Sequence, residues 1–188
     1  METAFSICAG IGLAAACGFR VFVPLLVVSI ASISGQVHLS PHFQWIGSYP
    51  ALLAFSVATV VEIAGYYIPW VDHLLDTLTS PASVVAGTIV AASMFTDMSP
   101  FLRWTLAVIA GGGAASLVQG GTVATRVLST STSGGLTNPL VSTAELGCSF
   151  LTSVLSVFVP ELALLLLAVL GLWLGLKYWK RRRLKPAS

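Results

Sequence analysis

Phe5–Ile33, FSICAGIGLAAACGFRVFVPLLVVSIASI, is apolar for 29 residues yet carries Arg20 and Pro24 near its middle. A membrane-crossing helix needs about 20 mostly apolar residues. This run is therefore long enough to enter a bilayer and too long for one untilted span. Pro24 has no amide hydrogen, so the helix is expected to kink there or to end its first half. A cation near the bilayer centre costs several kcal/mol, from roughly 2.5 upward on insertion scales. Arg20 must then face a partner or water, not lipid. Two roles stay open for it: a structural ion pair that ties helices together, or an anion or proton site.

The rest of the chain supports the same environment. Of 188 residues, 56% are hydrophobic and 9% are charged. A soluble domain carries about 25% charged residues, because its surface faces water. The mean hydropathy of +0.91 exceeds what a core of this size can hide. The expected fold class is all-α: a polytopic transmembrane helix bundle of about six segments, one or two of them short, broken or re-entrant. It forms a single transmembrane domain over residues 1–179, followed by a basic tail at 180–188. Six of the nine basic residues lie at Lys177, Lys180, Arg181, Arg182, Arg183 and Lys185. Basic residues directly after an apolar helix mark the cytoplasmic side and can attract anionic lipid. A nucleic-acid patch is disfavoured by that position. No Lys or Arg precedes the first apolar run, which argues for a retained helix over a signal peptide.

Further segments follow from apolar runs and their breaks. Ser34–Pro50 is a polar connection with His38, His42 and Trp45. Ala51–Ile68 is a span ended by Pro69-Trp70-Val71-Asp72. His73–Leu78 is amphipathic and expected at the interface. Ser83–Phe95 has only 13 residues and suits a re-entrant or broken helix, or a span whose ends extend into polar sequence. Phe101–Val118 is a span with Arg103 at its start and a small-residue patch, Gly111-Gly112-Gly113-Ala114-Ala115, that permits close helix approach. Leu140–Val159 and Leu162–Trp179 complete the set. A faint internal echo pairs Pro24-Leu25-Leu26 with Pro139-Leu140-Val141, each followed by a lone glutamate and a proline. Transporters are often built from such repeats.

Candidate chemistry concentrates in few residues. Glu62 and Glu145 are lone carboxylates in apolar sequence and natural partners for Arg20. Each can carry a proton during transport or act as a neutral hydrogen-bonded spacer. Asp72 and Asp76 share a helix face at i and i+4. They suit a solvated interfacial face more than paired acid/base catalysis. Arg126 precedes Ser129–Asn138, STSTSGGLTN, and Pro139 then opens a helix. Free N–H groups and the dipole at a helix start favour anions. Ser131, Thr132 and Ser133 offer hydroxyls, Gly134 and Gly135 allow close backbone approach, and Asn138 can cap the helix. An ordinary exposed turn is the plainer alternative. Cys8, Cys17 and Cys148 lack metal or disulfide spacing. No Walker, HExxH, nucleophile-elbow or dinucleotide motif is present. No cofactor or metal is expected.

Three stretches together resemble an uncharacterised family of small bacterial membrane proteins, domain of unknown function 4126. They are Gly18-Phe19-Arg20-Val21-Phe22-Val23-Pro24-Leu25-Leu26; Glu62 through Ile68-Pro69-Trp70-Val71-Asp72; and Arg126 through Gly134-Gly135 to Asn138-Pro139-Leu140-Val141-Ser142 and Glu145. The resemblance implies a bacterial inner membrane and no assigned activity. The chain departs from it at Tyr66-Tyr67, where the family tends to have Asp-Lys, and at Glu145-Leu146, where it tends to have Glu-Asp. The expected function is a small transporter or channel for an anionic solute or a phosphate-bearing lipid. Arg20, Arg126 and the Ser/Thr/Gly turn would bind it, and Glu62, Glu145 or Asp72 would couple protons or form ion pairs. The alternative is a structural or accessory protein whose charges only lock helices. An interfacial lipid enzyme built on Asp72 and Asp76 is a third. The small enclosed volume favours a homo-oligomer.

Overall fold

A computed structural model describes residues 2–68 and 71–183. Pro69, Trp70 and residues 184–188 lie outside the described residues, as do the side chains of His73 and of the basic residues 177–183. Among the described residues the chain is helical with no strand. In order it forms α1 (Glu2–Cys17), α2 (Phe22–Ile33), a 3-10 helix at Pro41–Gly47, α3 (Tyr49–Tyr66) and α4 (Val71–Met94). Then come α5 (Pro100–Leu106), a π-helical segment at Ala107–Gly112, α6 (Gly113–Ser133), α7 (Asn138–Phe158) and α8 (Pro160–Arg183). Four stretches are long and apolar enough to cross a membrane: Tyr49–Tyr66, Leu74–Met94, Pro100–Ser133 and Asn138–Phe158.

The long first apolar run breaks into two short helices, and the break is not at Pro24. It falls at Gly18–Val21, and Pro24 sits in the first turn of α2, where a missing amide costs little. Along α1, Gly10 meets Ala91 and Phe95 of α4, while Gly12 meets Ser156 of α7 and Ala163 of α8. Further along, Ser149 of α7 donates to the Ala16 carbonyl at 3.0 Å. Residue numbers rise along α1 as they fall along α7, so the two helices are antiparallel. Phe5, Val37, Met94, Asp97 and Glu161 line one cleft. The start of α1 and the chain just after α2 therefore lie at the same end of the bundle. Helices α1 and α2 form a hairpin that enters from one end and returns to it.

The hairpin tip is held by steric fit. A Cβ on Gly18 would lie 2.5 Å from the Ala115 carbonyl oxygen and 2.9 Å from the Gln119 nitrogen, both in the α6 backbone. Only glycine lets the tip press this close. The same device closes α4 on the π segment. A Cβ on Gly111 would lie 2.5 Å from that of Ala91 and 3.0 Å from the Gly87 carbonyl oxygen. The small-residue patch thus packs helices as its composition predicts.

Of the three forms open to the short Ser83–Phe95 stretch, the structure shows the third, a span that extends into polar sequence: residues 83–94 are the second half of α4, which runs unbroken for 24 residues with Pro81 inside it. The aspartates that made its first half look interfacial are partnered inside the bundle. A second expectation is corrected: Ser129–Ser133 is no loop. Ser131, Thr132 and Ser133 donate to the carbonyls of Leu128 or Ser129 one turn back, and such back-bonding suits a helix without a water shell. α6 ends only at Gly134, at φ +63°. The paired prolines of the internal echo, Pro24 and Pro139, open α2 and α7.

The apolar end is closed by Arg103. It is buried and donates from Nε to the Phe95 carbonyl at 2.8 Å and from Nη2 to those of Thr96 and Met98 at 3.1 and 3.3 Å. It satisfies carbonyls of the turn that follows α4, where a cation also meets the negative end of the helix dipole.

Gly18→Val is predicted to destabilise the fold by about 1–3 kcal/mol through overpacking against α6. Thermal unfolding in detergent tests this; an unchanged melting temperature would mean the tip is not pinned there.

Candidate functional site

Four helix ends and the hairpin tip converge on a polar centre at the end of the bundle away from the cleft. The tip brings Arg20. The last turns of α3 bring Glu62 and Tyr66, which lie at i and i+4. The first turns of α4 bring Asp72 and Asp76, also at i and i+4. The end of α6 brings Arg126 and Ser129, and the start of α7 brings Asn138, Ser142 and Glu145. Arg20 is 2% exposed, Glu62 3%, Arg126 4% and Glu145 6%. Each sits within helices otherwise faced by apolar residues, so each must find its partner inside.

Arg126 and Glu145 form a two-pronged pair. Arg126 Nε donates to Oε1 at 3.1 Å, and Nη2 contacts Oε2 directly. Such parallel contacts are the strongest arrangement a guanidinium and a carboxylate make. Asp76 approaches Arg126 Nη1 at 3.5 Å. Glu145 also faces Arg20 Nη2 at 3.6 Å, so one carboxylate bridges both arginines. Arg20 Nη2 donates to the Ser142 carbonyl at 2.9 Å and contacts its hydroxyl. Its Nε and Nη1 have no hydrogen-bond partner, and neither does Arg126 Nη1.

Tyr66 holds the two cations together. The Arg20 guanidinium carbon lies 3.8 Å from the ring centroid and that of Arg126 lies 4.1 Å from it. The electron-rich ring face offsets part of the repulsion between like charges. The Tyr66 hydroxyl meets Thr79 at 3.0 Å.

Glu62 does something else. Its Oε1 accepts from the Val21 amide at 2.8 Å and its Oε2 from the Phe22 amide at 3.1 Å. These are orphan N–H groups at the start of α2. No other side chain caps this terminus.

The Ser/Thr/Gly segment contributes less than its sequence suggests. Ser131 and Thr132 are exposed and turn back onto α6. Ser133 bonds to Ser129 and Thr137, and Gly134 and Gly135 only turn the chain at φ +63° and +90°. Thr137 occupies the cap position of α7, not Asn138. Asn138 instead accepts from Ser129 at 2.7 Å and donates to Asp72 at 3.1 Å. From the expected set the structure therefore gathers Arg20, Arg126, Glu62, Glu145, Asp72 and Asn138. It leaves Ser131, Thr132 and Gly134 outside. Tyr66, Thr79, Asp76 and Ser142 join the centre without having been proposed for binding. Their signal was periodic: Tyr66 is one turn after Glu62, Asp76 and Thr79 are three residues apart, and Ser142 is one turn after Asn138.

The family model described as Domain of unknown function (DUF4126) matches residues 7–181, which include every residue of this centre. The chain belongs to the DUF4126 family. No curated protein and no solved structure matches it. The centre of this DUF4126 member must accordingly be read from its own chemistry. Three carboxylates, Glu62, Asp76 and Glu145, lie by the two guanidiniums, and Asp72 is held by Asn138.

Tyr66 variants separate stacking from hydrogen bonding. Tyr66→Phe is expected to cost about 0.5–1.5 kcal/mol, the value of one hydrogen bond. Tyr66→Leu removes the ring beneath both arginines and should cost more, by about 1–2 kcal/mol. Equal unfolding midpoints for the two variants would show that the ring does not hold the cations.

Proposed function

We propose that this protein is a membrane transporter whose coupling centre is the buried Arg20–Glu62–Arg126–Glu145 cluster. One observation carries the proposal: the centre does not cancel its own charge. A surplus carboxylate sits beside Arg20, whose Nε and Nη1 have no hydrogen-bond partner among the described residues. A clasp built only for stability gains nothing from either feature. Half-satisfied polar groups in a dry site are destabilising. A centre that exchanges protons needs both, because protons supply the missing positive charge and free donors await a second ligand. Re-entrant and broken helices at membrane depth are where transporters place such sites. The hairpin tip here carries Arg20 into the centre.

A structural role is the second reading, and the Arg126–Glu145 pair with its Tyr66 platform favours it. In that pair Arg126 engages both oxygens of Glu145. The two readings assign different halves: Arg126 and Glu145 hold the helices, while Arg20 and Glu62 face the unmet groups.

A pH jump on protein-containing liposomes adsorbed to a solid-supported electrode needs no known substrate. Wild-type protein is expected to give a transient current. Arg20→Ala should lower it at least tenfold, whereas Arg103→Lys, at the other end, should leave it intact. A wild-type signal no larger than that of protein-free liposomes, or an undiminished signal in folded Arg20→Ala, would sink the proposal.

A further inference from the structure

The start of α2 is a helix terminus whose N–H groups point at an anion, and that anion is part of the protein. Glu62 places one carboxylate oxygen on the Val21 amide at 2.8 Å and the other on the Phe22 amide at 3.1 Å. This is how a bound carboxylate or phosphate sits at a helix start. Beside it, Arg20 immediately precedes the terminus. It is 98% buried, yet its Nε and Nη1 donate to nothing. One turn before Glu62 on the same side of α3, the buried Thr59 hydroxyl is unpartnered as well. Buried donors without acceptors are rare in folded proteins and call for an explanation. Here two of them belong to the residue that precedes a terminus already holding a carboxylate, and the third lies one turn from that carboxylate on α3.

We infer that the α2 terminus and Arg20 form an oxyanion site, that Glu62 occupies it as an internal stand-in, and that a carboxylate- or phosphate-bearing ligand takes its place during turnover. This deepens the transport reading and rests on it. Charge balance makes the exchange feasible. Glu62 leaves the terminus carrying a proton, and the ligand brings one negative charge. The net charge of the centre is then unchanged, so the surplus carboxylate nearby does not oppose entry. The exchange ties one proton to each negative charge bound. Arg20 contributes N–H donors on Nε and Nη1 that no acceptor among the described residues uses. The ligand class fits a free anion and a lipid headgroup equally, because both present the same oxygens.

Glu62→Ala empties the stand-in position and is the direct test. Melting temperature of the purified variant would be compared in chloride, formate and inorganic phosphate at equal ionic strength. It would also be compared in nanodiscs of phosphatidylcholine with and without phosphatidic acid. An oxyanion shift of about +5 °C is expected for Glu62→Ala at near-saturating ligand, with little shift in wild type. A response to formate or phosphate points to a soluble anion, and one to phosphatidic acid alone points to a lipid. The shift should vanish in Glu62→Ala/Arg20→Ala. If Glu62→Ala does not fold in any salt, Glu62→Gln is measured in the same way, since it keeps the shape and frees one amide. No oxyanion response in the folding variant, or a response undiminished by loss of Arg20, overturns the inference. An oxyanion shift without a wild-type pH-jump current would instead sink transport and leave the site standing.

Discussion

A chain that turns back inside a bilayer leaves the first N–H groups of the returning helix without partners, and lipid offers none. Each such group costs several kcal/mol if left bare. Glu62 removes that cost at two amides of α2, and the α1–α2 hairpin depends on it. The rest of the bundle is arranged to make this contact possible. Helix α3 must end near the tip, α6 must bring its backbone at Ala115 and Gln119 up to Gly18, and α7 must lie alongside α1 so that Ser142 can receive Arg20. The tip, the capping carboxylate and the buried arginine are one construction. Removing any of the three leaves an uncompensated polar group in a greasy interior.

The molecule is also asymmetric between its ends. At one end Arg103 closes α4 by donating to three carbonyls, and the geometry there is satisfied. At the other end the charges outnumber their partners. The Arg126–Glu145 pair is complete, with Tyr66 beneath it. Arg20, Glu62 and Thr59 are left with unused donors or with a partner that is only backbone. Paired and unpaired groups therefore fall on adjacent residues of one cluster. The Arg126–Glu145 pair ties α6 to α7.

Much of this was legible in the residues. Arg20 in an apolar run already required a partner, and Glu145 and Glu62 were the only lone carboxylates in apolar sequence able to serve. The small-residue patch at Gly111–Ala115 predicted close packing, which Gly87 and Ala91 now receive. The Ser/Thr/Gly stretch misled because the same hydroxyls satisfy a helix internally as readily as they line a loop. The Ser83–Phe95 stretch was readable as a span extended into polar sequence, and its helix does run back past both aspartates. A helix can carry aspartates inward when Asn138 and Arg126 wait for them. Tyr66 was missed because a tyrosine near a helix end reads as an interfacial anchor, and its place beneath two arginines exists only in three dimensions.

Composition and apolar run length alone decided that this is a helical membrane protein, because burial of so many apolar groups has no other solvent to choose. Sequence alone also decided that Arg20 and the glutamates must be compensated, because the energetic penalty belongs to the residue and its immediate surroundings. Which carboxylate meets which arginine, where the first run breaks, and which helix start is left to be capped were decided by tertiary packing. Those outcomes depend on contacts between residues far apart in the chain, such as Glu62 with Val21, 41 positions away, and Arg20 with Ser142, 122 positions away, and no local pattern encodes them.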